Sequence, residues 1–187
     1  MSTAEHAETT NRRDFLYIAT GAVGAVGTAL VIWPFLDQMN PDASVLALAT
    51  VELDLAPIAE GQSVTIKWRG NPVFVRHRTK KEIDDARAVP LEQLVDPVAR
   101  NANLKDNAPA TDENRVVNGK EQYLIQVGVC THLGCVPIGQ AGDYGGWFCP
   151  CHGSQYDTAG RIRRGPAPEN LAVPKYEYIS DTKIRIG

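Results

Sequence analysis

The sequence predicts a mainly β protein, with an antiparallel β head carried on one N-terminal transmembrane helix through a tether. Three observations support this. Phe15 to Leu36 contains no charged residue, and about 22 residues rising about 1.5 Å each give roughly 33 Å, enough to cross a hydrocarbon core. Beyond residue 50, short stretches alternate apolar and polar residues as half-buried strands do. All four cysteines and two of the four histidines lie in two boxes, Cys130-Thr131-His132-Leu133-Gly134-Cys135 and Cys149-Pro150-Cys151-His152-Gly153-Ser154. Those boxes belong in two loops at one end of the head.

A chain of 187 residues allows one domain plus an appendage, and a net charge of −3 gives no support for a nucleic-acid partner. Residues 1–14 are a cytoplasmic tail, in which Asn11-Arg12-Arg13-Asp14-Phe15-Leu16 looks like a twin-arginine export signal. The same arginines satisfy the positive-inside tendency, so everything after Leu36 is expected outside the cytoplasm. Residues 15–36 are the transmembrane helix. Gly21, Gly24 and Gly27 beside Ala22 and Ala25 form a surface where another helix can approach closely. Trp33 is an interfacial anchor, and Pro34 marks the end of regular helix. Ala47-Leu48-Ala49 resembles a processing site, but the apolar run is longer than the roughly 7 to 15 residues of a signal core and ends well before it. The span is therefore read as a retained, single-pass anchor.

Residues 37–49 are expected to be a flexible tether. About 12 residues reach roughly 40 Å extended but only about 18 Å as helix. The head, residues 50–187, begins with the strand Val51 to Leu55, followed by a hairpin from Ser63–Trp68 through Arg69-Gly70-Asn71-Pro72 to Val73–Arg76. Lys80 to Ala88 reads as a short surface helix, and His77, between Arg76 and Arg78, as solvated. Residues 97–118 have the composition of a long surface excursion. Tyr123–Val129 is a strand leading into the first box, Trp147-Phe148 leads into the second, and Gln155–Asp157 leads away. Arg161–Arg164 is expected to be a solvated turn, and Tyr176–Ile179 with Lys183–Ile186 a final hairpin.

Soft thiolates and borderline imidazoles within one short stretch point to a metal site. The count admits six ligands, or four ligands and one disulfide. Structural zinc also uses Cys2His2 sets, but with closely paired cysteines and a separate histidine pair; here each box offers one cysteine–histidine pair and a spare cysteine.

The boxes, with Gly165-Pro166-Ala167-Pro168 after them, resemble the Rieske iron-sulfur proteins of quinol-oxidising cytochrome bc complexes, closely across the C-terminal half and more weakly over residues 50–120. The resemblance implies one 2Fe-2S cluster, with Cys130 and Cys149 on one iron, His132 and His152 on the other, and a Cys135–Cys151 disulfide joining the loops. It also implies that Ser154 and Tyr156 donate hydrogen bonds to a bridging sulfide and a ligand thiolate, and that His132 and His152 meet quinol. Such a chain is the electron-transfer subunit of a proton-translocating quinol-cytochrome c oxidoreductase of the bacterial inner membrane. Its head is periplasmic, its partners are cytochrome b and a c-type cytochrome, and the complex is dimeric. Rieske oxygenases and their ferredoxins lack the extra cysteine pair; a Rieske subunit of an oxygenase or of arsenite oxidase is the alternative. Gln155 departs from the histidine often seen in the respiratory subgroup. Leu133 would be an apolar contact at the tip.

Charge explains the ligand set. Two ferric ions, two sulfides and two thiolates sum to zero, whereas four thiolates would leave two negative charges. A neutral centre takes up an electron more readily, which is why Rieske potentials lie at roughly −150 to +300 mV against about −400 mV for plant-type ferredoxins.

Overall fold

The computed structural model describes residues 11–40, 49–117 and 119–187. The tail through Thr10 and tether residues 41–48 lie outside the described residues. The chain divides into two compact units, residues 1–46 and 47–187. In the first, helix α1 (Arg12–Asp37) is long and apolar enough to cross a membrane. It starts at Asn11, whose side chain accepts the Arg13 N–H while Asp14 accepts the Asn11 N–H, a capping box that makes the paired arginines the first turn. Pro34 does not end the helix. Near the C-terminal end its missing N–H removes one bond, and the Gln38 N–H still reaches the Pro34 carbonyl.

Among its described residues, the second unit holds three antiparallel sheets. β1 (Val51–Asp54), β10 (Lys183–Ile186) and β9 (Tyr176–Tyr178) form one, in the order β1-β10-β9. β2 (Ser63–Trp68), β3 (Asn71–His77) and β4 (Tyr123–Val127) form the second, and β5 (Ile138–Gly139), β6 (Gly145–Cys149), β7 (Ser154–Asp157) and β8 (Ile162–Arg164) the third. Both expected hairpins form, with Ile66 opposite Val73 and Ile184 opposite Tyr178.

The period of two on β3 builds the layering. Val73 and Val75 enter a core with Leu55, Ile125, Tyr176, Ile184 and Ile186, whereas Phe74 between them enters another with Trp147, Cys149, Tyr156 and Ile162. β3 is thus covered on both faces, and its middle is fully buried. The second core carries the boxes. Gly128, just past β4, has no room for a Cβ because the Phe74 ring would lie 2.4 Å from it. Phe74 in turn stacks on Trp147 at 6.1 Å.

Helix α2 (Lys80–Arg87) is the expected surface helix, capped by Thr79 and Glu82. Three other expectations fail. The described part of the 97–118 excursion, residues 97–117, is packed, with Ala99, Ala110, Asp112, Arg115 and Val116 buried. Arg161 is 1 % exposed, paired with Asp157 and donating to the Ala110 and Ala86 carbonyls. His77 is half-buried, with Nδ1 2.7 Å from the Ile58 carbonyl and its ring on Tyr123, while Arg78 beside it is buried against Asp112. Arg115, Arg161 and His77 each meet a backbone carbonyl far along the chain, at Ala99, Ala110 and Ile58, and such partners leave no mark in the local sequence.

Candidate metal centre

The two boxes are turns of the same shape. The first links β4 to β5; in it the Cys130 carbonyl accepts the Gly134 N–H at 2.9 Å, and the Cys130 N–H donates to the Cys135 carbonyl at 2.8 Å. The second is the turn of the β6–β7 hairpin, where Cys149 pairs with Ser154 and the Cys149 carbonyl accepts the Gly153 N–H at 3.0 Å. Gly134 and Gly153 both hold left-handed backbone, φ 81° and 78°, so each turn ends on a residue without a Cβ. Each turn directs one cysteine inward, since Cys130 and Cys149 are buried free thiols, and puts the histidine two or three residues later nearer the surface. Cys135 and Cys151 are joined by a disulfide that ties one turn to the other.

The imidazoles of His132 and His152 meet edge to face, ring centroids 4.6 Å apart. His152 is exposed and His132 half-buried. The Nδ1 of His132 is buried and has no hydrogen-bond partner, a costly arrangement for a ring nitrogen unless something else satisfies it. A metal ion would. The sulfurs of Cys135, Cys149 and Cys151 lie within 4.8 Å of one another, but two of them are spent on the disulfide. The donors left over are Cys130, Cys149 and the histidine pair.

Hydrogen bonds order the thiols. Burial pushes the Cys130 thiol up, but the Tyr156 hydroxyl, which donates to its sulfur at 3.3 Å, the His132 backbone and Ser154 together hold it below the ordinary range. Cys149 is raised, chiefly by burial. Tyr156 is fully buried, and burial first, then the bond to Cys130, pushes its phenol well above the ordinary range, so it remains a donor. Ser154, also buried, accepts the Ala167 N–H at 3.1 Å. Gly165 lies directly on Ser154: a Cβ there would come within 2.5 Å of the Ser154 Cα, and φ is 105°.

Residues 95–177 match the family model described as "Rieske [2Fe-2S] domain", and residues 1–42 match "Ubiquitinol-cytochrome C reductase Fe-S subunit TAT signal". The ubiquinol-cytochrome c reductase iron-sulfur subunit of Bradyrhizobium diazoefficiens is 56% identical over 100% of both chains, and that of Rhodospirillum rubrum 57% identical over 100% of both. The chain belongs to the family of ubiquinol-cytochrome c reductase iron-sulfur subunits. A solved structure titled "Hyperthermophilic respiratory Complex III" shares 25% identity, with a TM-score of 0.49, over 90% of this chain and 98% of that one.

The head is therefore a Rieske domain, and the cofactor implied by the boxes is a 2Fe-2S cluster. The donor set fits it, with two buried thiols, a pair of adjoining imidazoles and an orphaned ring nitrogen. Two features of the Rieske site were not foreseen in the sequence. The Thr131 hydroxyl, between the first cysteine and histidine, donates to the Glu169 carbonyl at 2.7 Å and accepts its N–H at 3.3 Å. Gln155, on the opposite face of β7 from its neighbours Ser154 and Tyr156, accepts the Asp143 N–H at 2.7 Å and donates to its carboxylate at 3.3 Å. A hydroxyl or amide bonding to a backbone 38 or 12 residues away leaves no local pattern.

Proposed function

We propose that this chain is the membrane-anchored electron-transfer subunit of a quinol-cytochrome c oxidoreductase, taking an electron and a proton from quinol and passing the electron to a c-type cytochrome. Family membership supports the reading, and one observation carries it: two adjoining imidazoles at an apolar tip. Leu133 is 71% exposed, and Val136 and Ile138 are exposed beside it. Such a patch is a docking face, here for the quinol pocket of cytochrome b.

Cys130 and Cys149 would hold one iron and His132 and His152 the other, with His132 binding through its partnerless Nδ1. The cluster, when bound, supplies a one-electron acceptor that is neutral when oxidised. The chain's residues do the rest. Nδ1 ligation leaves the outer nitrogen of His132 for solvent or quinol, and His152, the more exposed, presents its own. One of these nitrogens, after losing its own proton, would accept the hydrogen bond of the quinol hydroxyl and keep that proton as the electron leaves. The second electron would go to haem in cytochrome b, and the second quinol proton to solvent. Tyr156 and Ser154 favour added negative charge at the sulfurs, Leu133 and its apolar neighbours exclude water, and the Cys135–Cys151 disulfide keeps the two turns together. In the domain plan, residues 1–14 stay cytoplasmic, residues 15–36 span the bacterial inner membrane, residues 37–49 tether the head, and residues 50–187 work in the periplasm within a dimeric complex.

Purification from detergent-extracted membranes tests this. Recovery with b-type and c-type haem and quinol-dependent cytochrome c reduction is expected. Recovery without haem, or with a molybdenum protein, would contradict it.

A further inference from the structure

We infer that Asp96 and Arg100, at the start of the packed excursion, are positioning residues for the metal centre: they brace residues 165–170 against the two ligand turns. The inference rests on the ligand assignment above. Residues 165–170 touch the turns at three points. Gly165 lies on the Ser154 backbone, Ala167 donates its N–H to the Ser154 hydroxyl, and Glu169 exchanges two hydrogen bonds with Thr131. The segment contains Pro166 and Pro168, which lack an N–H, and among the described strands none is formed by it. Something else must hold its far side.

Asp96 and Arg100 do so. The buried Asp96 carboxylate accepts the Asn170 N–H at 3.0 Å, and the Asn170 side-chain amide donates to the Asp96 and Val98 carbonyls at 3.0 and 2.7 Å. Arg100 then spans both acids, with Nε 2.9 Å from the Asp96 carboxylate and Nη1 3.2 Å from that of Glu169. Glu169 is the residue clasped by Thr131, so the brace is continuous from Asp96 to the residue between Cys130 and His132. Arg100 holds this place at φ 49°, a left-handed conformation that a non-glycine residue keeps only when its surroundings enforce it, and the Val173 N–H to the Arg100 carbonyl at 2.8 Å is one such constraint. A lysine could not reach both acids with the same planar fork.

The test uses the full-length, cluster-loaded protein and reads amide hydrogen exchange at Ala167 and Glu169 together with the rate of cluster loss to a chelator. Arg100→Gln should speed both about tenfold, as a local opening shifted by about 1.4 kcal/mol would. Glu169→Gln, at a half-exposed surface site, should give a smaller effect and abolish the acceleration by salt expected of the wild type. Ile184→Val, in the other core, loses comparable global stability and should change neither readout. Arg100→Gln matching wild type, or Ile184→Val matching Arg100→Gln, would overturn the brace. A wild-type protein without an iron-sulfur signal would instead defeat the ligand assignment.

Discussion

Replacing Tyr156 with phenylalanine isolates one hydrogen bond at the centre. Tyr156 is fully buried in the core that carries the boxes, and its ring packs with Trp147 and Ile162. Phenylalanine preserves that packing and removes only the hydroxyl, which donates to Cys130 Sγ at 3.3 Å and accepts the Thr131 N–H at 3.4 Å. Reduction adds negative charge to the sulfurs, so the donated bond stabilises the reduced state more than the oxidised one, and its loss lowers the midpoint potential. A bond to a charged acceptor contributes about 1.5 to 3 kcal/mol in all. If about 1 to 2 kcal/mol of that is differential, a one-electron couple at about 59 mV per tenfold falls by roughly 40 to 90 mV. Because the phenol is held well above its ordinary range, the drop should be the same from pH 6 to 8. Voltammetry of the purified protein measures it. An unchanged or higher potential, with the cluster retained, would refute the role given to this hydroxyl.

Cys135→Ser cuts the covalent tie between the turns and should leave a protein that loses its cluster on purification, read as iron content per chain; undiminished content after dialysis would count against the clamp. Arg115→Met should cost roughly 3 kcal/mol or more in denaturant unfolding, because the Ala99, Ala159 and Leu171 carbonyls lose their buried donor. Acid should expose Asp96 and Glu82. Burial raises both carboxyls, but Arg100 with the Asn170 and Val98 amides for Asp96, and Arg76 with Thr79 for Glu82, hold them net below their ordinary values of 3.8 and 4.5. Their stabilisation is therefore fully present above about pH 5 and is lost as pH falls through the depressed values. Asp96→Asn should flatten the acid limb of the unfolding curve, and an unaltered limb would contradict the linkage.

The site was more legible than the scaffold behind it. Two cysteine–histidine pairs with one spare cysteine each are unlike zinc spacing, and the structure brings all six residues to one end of the head, with the spare pair bonded. Alternation found both hairpins, and an uncharged run found α1. Buried arginine was not visible. Arg115 is fully buried and driven down to about 10 by desolvation, yet it lies in a polar stretch that reads as surface, because its partners are backbone carbonyls at Ala99, Ala159 and Leu171, which have no side-chain signature. The same holds for the Thr131 clasp, and for the Ala110 and Ala86 carbonyls that Arg161 meets beyond its neighbour Asp157. Pro34 misled in the other direction, since a proline near the end of a helix costs one bond rather than the helix.

In the proposed site, two thiolates and two imidazoles of this chain hold a 2Fe-2S cluster. Pulsed electron-nuclear double resonance of the reduced protein reads the ligands directly. Two strongly coupled nitrogens are expected in the wild type, and only one in any His132→Cys or His152→Cys variant that keeps a cluster. A paramagnetic centre without strongly coupled nitrogen, or a protein that holds zinc and gives no signal, would contradict it.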